Sequence, residues 1–255
     1  MFLLICAAAW LAVMFWLPLD AGGTDVYMFR DPACNFVAGL GFRSASVDHA
    51  HSFQPMLYSH YTPLYLWLFI PAAKLLGFTR LADAVFQGFW TILIDIVVIV
   101  AGLRFLERTW SRWLFLSLVA VLLPFSILRP NDRPEQLSFC LLTALLILLR
   151  QKPSLRFATL AGLLGAAAFL SEPFAGVVAV ILIAGWLFAA LAQRSRSPKH
   201  LLGLAGASSL AFVLPIAVVA VSFYEIDHQS LQRFMYQAVN TGFSRDLTYT
   251  LGEGP

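Results

Sequence analysis

Two carboxylates six residues apart, Asp25 and Asp31, lie in the run Thr24-Asp25-Val26-Tyr27-Met28-Phe29-Arg30-Asp31-Pro32. The uncharged apolar segment Leu3 to Leu17 comes directly before it and reads as a first membrane helix. Acids at that position stand at a bilayer surface, beside Tyr27 and Phe29 of the kind found at membrane interfaces. Further along comes His60-Tyr61-Thr62-Pro63-Leu64-Tyr65, polar first and then apolar. Carboxylates and a histidine bracketing such a loop point to chemistry on a substrate held at the membrane.

A second polar cluster is denser: Arg129-Pro130-Asn131-Asp132-Arg133-Pro134-Glu135. Arg129 and Arg133 have the planar fork that clamps a phosphate through paired hydrogen bonds, and Asp132 could hold sugar hydroxyls or support a metal. A solvated turn with internally paired charges accounts for the same residues. Glu172, in Ser171-Glu172-Pro173, interrupts an otherwise apolar stretch and reads either as a capped turn or as a substrate contact. Asp31 precedes Pro32, so a helix cap competes with an oxygen-ligand role toward Mg or Mn. Glu225, Asp227 and His228 form a weaker nitrogen/oxygen set with no visible second half. Asp95 is a single acid within an apolar run, read as a structural hydrogen-bonding group.

The elements that position these residues follow from composition. The 255-residue chain is 60% hydrophobic and 12% charged, against about 25% charged in soluble domains. With a mean hydropathy of +0.77, it reads as an all-α polytopic membrane protein forming one domain over residues 1–255. Cys6 and Cys140 sit inside apolar runs, which argues against a disulfide framework or a cysteine metal cluster. The N-terminus lacks the basic start and small-x-small site of a cleaved signal, so it reads as a retained anchor.

Apolar runs cover Leu3–Leu17, Val85–Leu103, Trp113–Leu128, Gln136–Leu149, Phe157–Ser171, Phe174–Ala192 and Leu201–Phe223. An eighth, Pro63–Phe78, contains Pro71 and Lys74 and ends at Gly77. Sidedness follows from charge. The connections Arg104–Arg112, Arg150–Arg156 and Arg194–Lys199 carry nine basic residues against Glu107 alone, which places them in the cytoplasm. The acid-bearing connections are then external, with loop 1 over about 19–84 and a tail over 224–255. Only one span fits between loop 1 and Arg104, so Pro63–Phe78 becomes a re-entrant or surface-lying helix and the spans number seven. Residues 32–40, closed by Gly39 and Gly41, read as a short surface helix, and Leu231, Phe234, Met235 and Ala238 as one face of an interfacial helix. The basic stretch Arg194 to Lys199 reads as a topological signal, so no nucleic-acid partner is expected.

Taken together, Asp25 with Tyr27, the following Gly39-Leu40-Gly41-Phe42, His60 to Tyr65, Lys74-Leu75-Leu76-Gly77 and Arg129-Pro130-Asn131-Asp132 resemble the GT-C superfamily of membrane glycosyltransferases. That superfamily includes the protein O-mannosyltransferases and the aminoarabinose transferases. The resemblance implies a module of about seven transmembrane helices with outer-face juxtamembrane helices, in the cytoplasmic membrane with its active face extracytoplasmic. It implies a hexosyl- or pentosyltransferase of the cell envelope that moves a sugar from a polyprenyl-phosphate donor to a lipid, glycan or protein acceptor. Asp25 is then the general base, and His60, Tyr61, Arg129, Asp132, Arg133 and Glu172 bind substrate. Asp31 is the residue placed to hold a divalent metal, and otherwise no cofactor is implied. One departure stands out: family members carry two prolines after the loop cation, whereas here Tyr61 and Thr62 separate His60 from the single Pro63. Family members usually continue into further helices, so a chain ending inside the tail after Tyr224 reads as a fragment. A carrier or flippase-like protein for lipid-linked saccharides, and an inert assembly subunit, are the alternatives.

Overall fold

The computed structural model describes residues 32–41, 43–44, 56–57, 63–77, 79–127, 134–193 and 197–226. Within them the chain is helical apart from one pair of two-residue strands, β1 (Arg43–Ser44) and β2 (Met56–Leu57). A helical segment over 32–37 precedes the strands. The main helices are α1 (Leu64–Leu76), α2 (Arg80–Phe105), α3 (Thr109–Ile127), α4 (Pro134–Leu149), α5 (Leu155–Ser171), α6 (Pro173–Ala192) and α7 (Pro198–Ile226). Each coincides with an apolar run read from the sequence; the run Leu3–Leu17 and the tail helix lie outside the described residues.

Among the described residues, three helical stretches are long and apolar enough to cross a membrane: Gly88–Phe105, Pro173–Ala192 and Pro198–Ser222. Helix α1 is shorter. Its 13 residues rise about 20 Å, against about 30 Å of hydrocarbon, and α4 and α5, at 16 and 17 residues, are also shorter than a full span. The one lysine of α1, Lys74, is exposed in the last turn with its ammonium 6.0 Å from the Phe36 ring centroid.

The chain forms two compact units. In the first, which contains 1–56 and 66–143, buried Leu66, Phe69, Ala73, Ala82, Phe86 and Trp90 form the core where α1 meets α2. Their rings meet edge to face, Phe69 to Phe86 at 5.1 Å and Phe86 to Trp90 at 5.8 Å, the geometry that matches ring edge to ring face. The α1–α2 turn is built from two residues. Gly77 takes φ +68°, which a side chain would strain, and ends α1. The Thr79 hydroxyl donates to Leu76 O at 2.9 Å and accepts from Ala82 N at 3.3 Å, so one side chain serves both helix ends. Between α2 and α3 only Leu106–Arg108 intervene, and Arg112 Nε donates to Leu106 O at 2.7 Å. The segment at 32–37 closes as the sequence predicts. Leu40 N donates to Asn35 O and Gly39 N to Phe36 O, with Gly39 at φ +81°, a complete Schellman end.

The second unit contains 57–65 and 144–255, and α5 is its centre, packed against α6 and α7. Small residues make this possible. Ala158, Gly162 and Ala166 recur every four residues along α5 and are all buried. A Cβ at Gly162 would strike the Ser208 carbonyl of α7 and come within 2.9 Å of Ala211 Cβ. Such close backbone approach replaces the hydrophobic drive that helices lack in lipid. At the other end of α5, a Cβ on Gly176 of α6 would lie 2.5 Å from Phe169 Cβ, so the hairpin closes only because that side chain is missing.

Candidate functional site

Of the residues the sequence nominates, Glu172, Asp95 and Glu225 fall within the described structure, Glu225 in the last turn of α7. Asp25, Asp31, His60, Tyr61, Arg129, Asp132 and Arg133 lie outside it, as do Asp227 and His228. The elements that flank those positions are described, and they share a pattern. His60 and Tyr61 come just before Pro63 and α1, and Asp132 and Arg133 just before Pro134, the first residue of α4. Asp31 abuts the helical segment at 32–37, and Glu172 precedes Pro173 at the start of α6. Proline favours the first helical turn because its missing N–H has no partner there in any case. The same end of the helix presents unbonded N–H groups and about half a positive charge, which suit an anion or a carboxylate.

Glu172 shows how tightly one of these positions is made. It is the residue between α5 and α6, extended at φ −156° and ψ 123°. Its N–H closes α5 on Ala168 O at 2.8 Å, and its carbonyl accepts from Gly176 N at 3.3 Å to open α6. The backbone therefore accomplishes the turn. The carboxylate makes no capping bond to α6 and is half-buried. Of the two sequence readings, the capped turn thus describes the main chain of Glu172.

At the head of α4, Gln136 carries a buried Oε1 with no hydrogen-bond partner among the described residues. No cluster of three or more His, Cys, Asp or Glu side chains suited to a metal occurs among the described residues. Asp95 lies midway along α2 and is partly buried.

Sequence reasoning overlooked a second polar region, at the opposite end of α6 from Glu172. There a cavity of about 470 Å³ is lined by Leu149, Arg150, Gln151, Lys152, Pro153, Trp186, Ala189, Ala190 and Gln193. The available signal was Trp186 near the end of an apolar helix, since tryptophan marks membrane interfaces.

No protein-family model, curated protein or solved structure matches this chain.

Proposed function

We propose that the protein is a membrane glycosyltransferase of GT-C type. On this reading it moves a sugar from a polyprenyl-phosphate donor to an acceptor at the extracytoplasmic face, through seven spans with the N-terminus inside. A lipid phosphate departs readily, so the reaction needs a base for the attacking hydroxyl or amine and cations for the departing phosphate. Asp25 takes the acceptor's proton. Arg129 and Arg133 hold the phosphate oxygens, with His60 and Tyr61 at the same group, and Asp132 and Glu172 bind sugar or acceptor hydroxyls. Asp31 closes loop 1 on its short helix and is the residue available to a divalent metal.

The observation that carries this reading is the recurrent placement of candidate polar residues directly before a helix start. Phosphate and the carboxylates that orient hydroxyls are both favoured there. Glu172 follows the same pattern, standing directly before Pro173 at the start of α6.

Radiolabelled-sugar transfer in membranes, measured across donor concentrations, tests the assignment. Asp25→Asn keeps the shape but cannot accept a proton, so turnover should fall by about 10²–10⁴-fold with little change in apparent donor affinity. Arg129→Ala should instead weaken donor use with the base still in place. Near-wild-type turnover in Asp25→Asn would overturn the reading and move a carrier for lipid-linked saccharides ahead of it.

A further inference from the structure

The cavity at the α4–α5 turn has a composition that its neighbourhood does not require. Arg150 and Lys152 line it together with two amide side chains, Gln151 and Gln193, and no carboxylate is among the lining residues. Its inner side adjoins an apolar cluster of Ala158, Ala190, Leu201 and Leu204, with Trp186 and Leu187 packed against them. Trp186 Nε1 donates to Gln151 O at 3.1 Å, which ties the turn to α6 and fixes the rim. Two of the turn's N–H groups are already used: Arg150 N donates to Ile147 O and Gln151 N to Leu148 O, and the charged and amide side chains supply the rest of the polar lining. A ligand here is therefore met by side chains.

Local electrostatics favour an anion. The C-terminal ends of α4 and α6 bring about half a negative charge each. The two full cations outweigh them, and the N-terminus of α5, capped by the Ser154 hydroxyl on Phe157 N at 3.4 Å, returns about half a positive charge. The volume falls within the range of about 300–1,000 Å³ typical of small-ligand sites. Trp186, six residues before the end of α6, sits about 9 Å from that end, where lipid headgroups lie if α6 spans the bilayer. By the charge pattern this is the cytoplasmic side, where anionic lipids attract basic clusters.

We propose that this cavity binds a phosphate ester, with the Arg150 guanidinium and Lys152 ammonium on the phosphate oxygens and the Gln151 and Gln193 amides on the hydroxyls it carries. An anionic glycerophospholipid headgroup and a free phosphate share that chemistry. The site lies at the other end of α6 from Glu172 and is independent of sugar transfer.

The full chain in neutral detergent is titrated with dioctanoyl phosphatidylglycerol, dioctanoyl phosphatidylcholine and inorganic phosphate, with binding read by a fluorescent label and by thermal shift. Saturable binding of phosphatidylglycerol is expected, at least tenfold tighter than phosphatidylcholine. Arg150→Gln with Lys152→Gln should weaken it at least tenfold, with ligand-free unfolding close to wild type. Gln193→Glu, a substitution at an exposed position, should weaken it as well by bringing a like charge, and so covers the case of a misfolded double variant. Tight binding of inorganic phosphate alone would assign the free anion as the ligand. Equal binding of phosphatidylglycerol and phosphatidylcholine, undiminished binding in both variants, or binding of none of the three probes overturns the proposal.

Discussion

Replacing one α5 glycine by alanine should weaken the second unit, although the same change elsewhere strengthens it. Alanine normally gains about 0.5–1 kcal/mol over glycine inside a helix, because the backbone loses less freedom on ordering. At Gly162 the added methyl would run into the Ser208 carbonyl and stand 2.9 Å from Ala211 Cβ. The first obstacle is main chain in the middle of α7, so no rotamer change relieves it and one helix must move. Overpacking of this kind costs about 1–3 kcal/mol. Gly162→Ala should therefore lose about 1–2 kcal/mol net. Gly206→Ala on α7, with nothing within 4 Å of the new Cβ, should gain about 0.5–1 kcal/mol. Gly165→Ala lies between the two, because its nearest neighbour is the Phe212 ring edge at 3.0 Å, which can turn aside. Unfolding by a denaturing detergent titrated into neutral micelles, followed by circular dichroism, measures all three. A Gly162→Ala protein as stable as Gly206→Ala would refute the reasoning, since it would mean that α5 and α7 do not touch where described.

Thr79→Ala removes both the cap on Ala82 N and the bond to Leu76 O, and should lower stability by about 1–2 kcal/mol in the same assay; Thr79→Ser should restore most of it. Glu172→Gln leaves the backbone bonds of the turn intact and removes the carboxylate's attraction to the α6 N-terminus, worth about 0.3–1 kcal/mol. A stability loss above about 2 kcal/mol would show that the side chain supports the fold, and reduced sugar transfer without such a loss would support its substrate role. Single cysteines at Trp110, Gln151 and Ser197, all exposed, should resist membrane-impermeant labelling of intact cells, whereas those at Asp48 and His228 should label. Outside labelling of any of the first three overturns the sidedness and promotes Pro63–Phe78 to a full span.

The helices were legible because lipid-compatible sequence must be uniformly apolar, and that signal needs no tertiary information. Their ends were less so. The run beginning at Val85 proves to be a helix from Arg80, since the Thr79 cap extends it through Arg80 and Asp83, which an apolar window discards. The run beginning at Leu201 likewise opens at Pro198, the residue type that best starts a helix. Basic residues assigned to the connection Arg104–Arg112 lie mostly within helix ends, because the turn itself spans only Leu106–Arg108. Candidate chemistry was readable as residue types and spacing, but its assembly depends on long-range packing that no local period encodes. The cavity beside Trp186 escaped for the same reason. Its rim joins Gln151 to Trp186, 35 positions apart, through one bond.

The turn at Glu172 bears on how the protein is made. Because one residue closes α5 and opens α6, the pair has no intervening loop that could cross a membrane after the first helix has settled. If both helices span a membrane, they enter it as a hairpin, both arms together, with a single charged group at its tip. Helix α7 follows about 30 residues later in synthesis and finds the stripe of Ala158, Gly162 and Ala166 already set in the membrane. The order of translation is thus also the order in which the bundle can assemble, and a lesion at the stripe would be felt at birth, as failed docking of the last helix, before it is felt as lost activity.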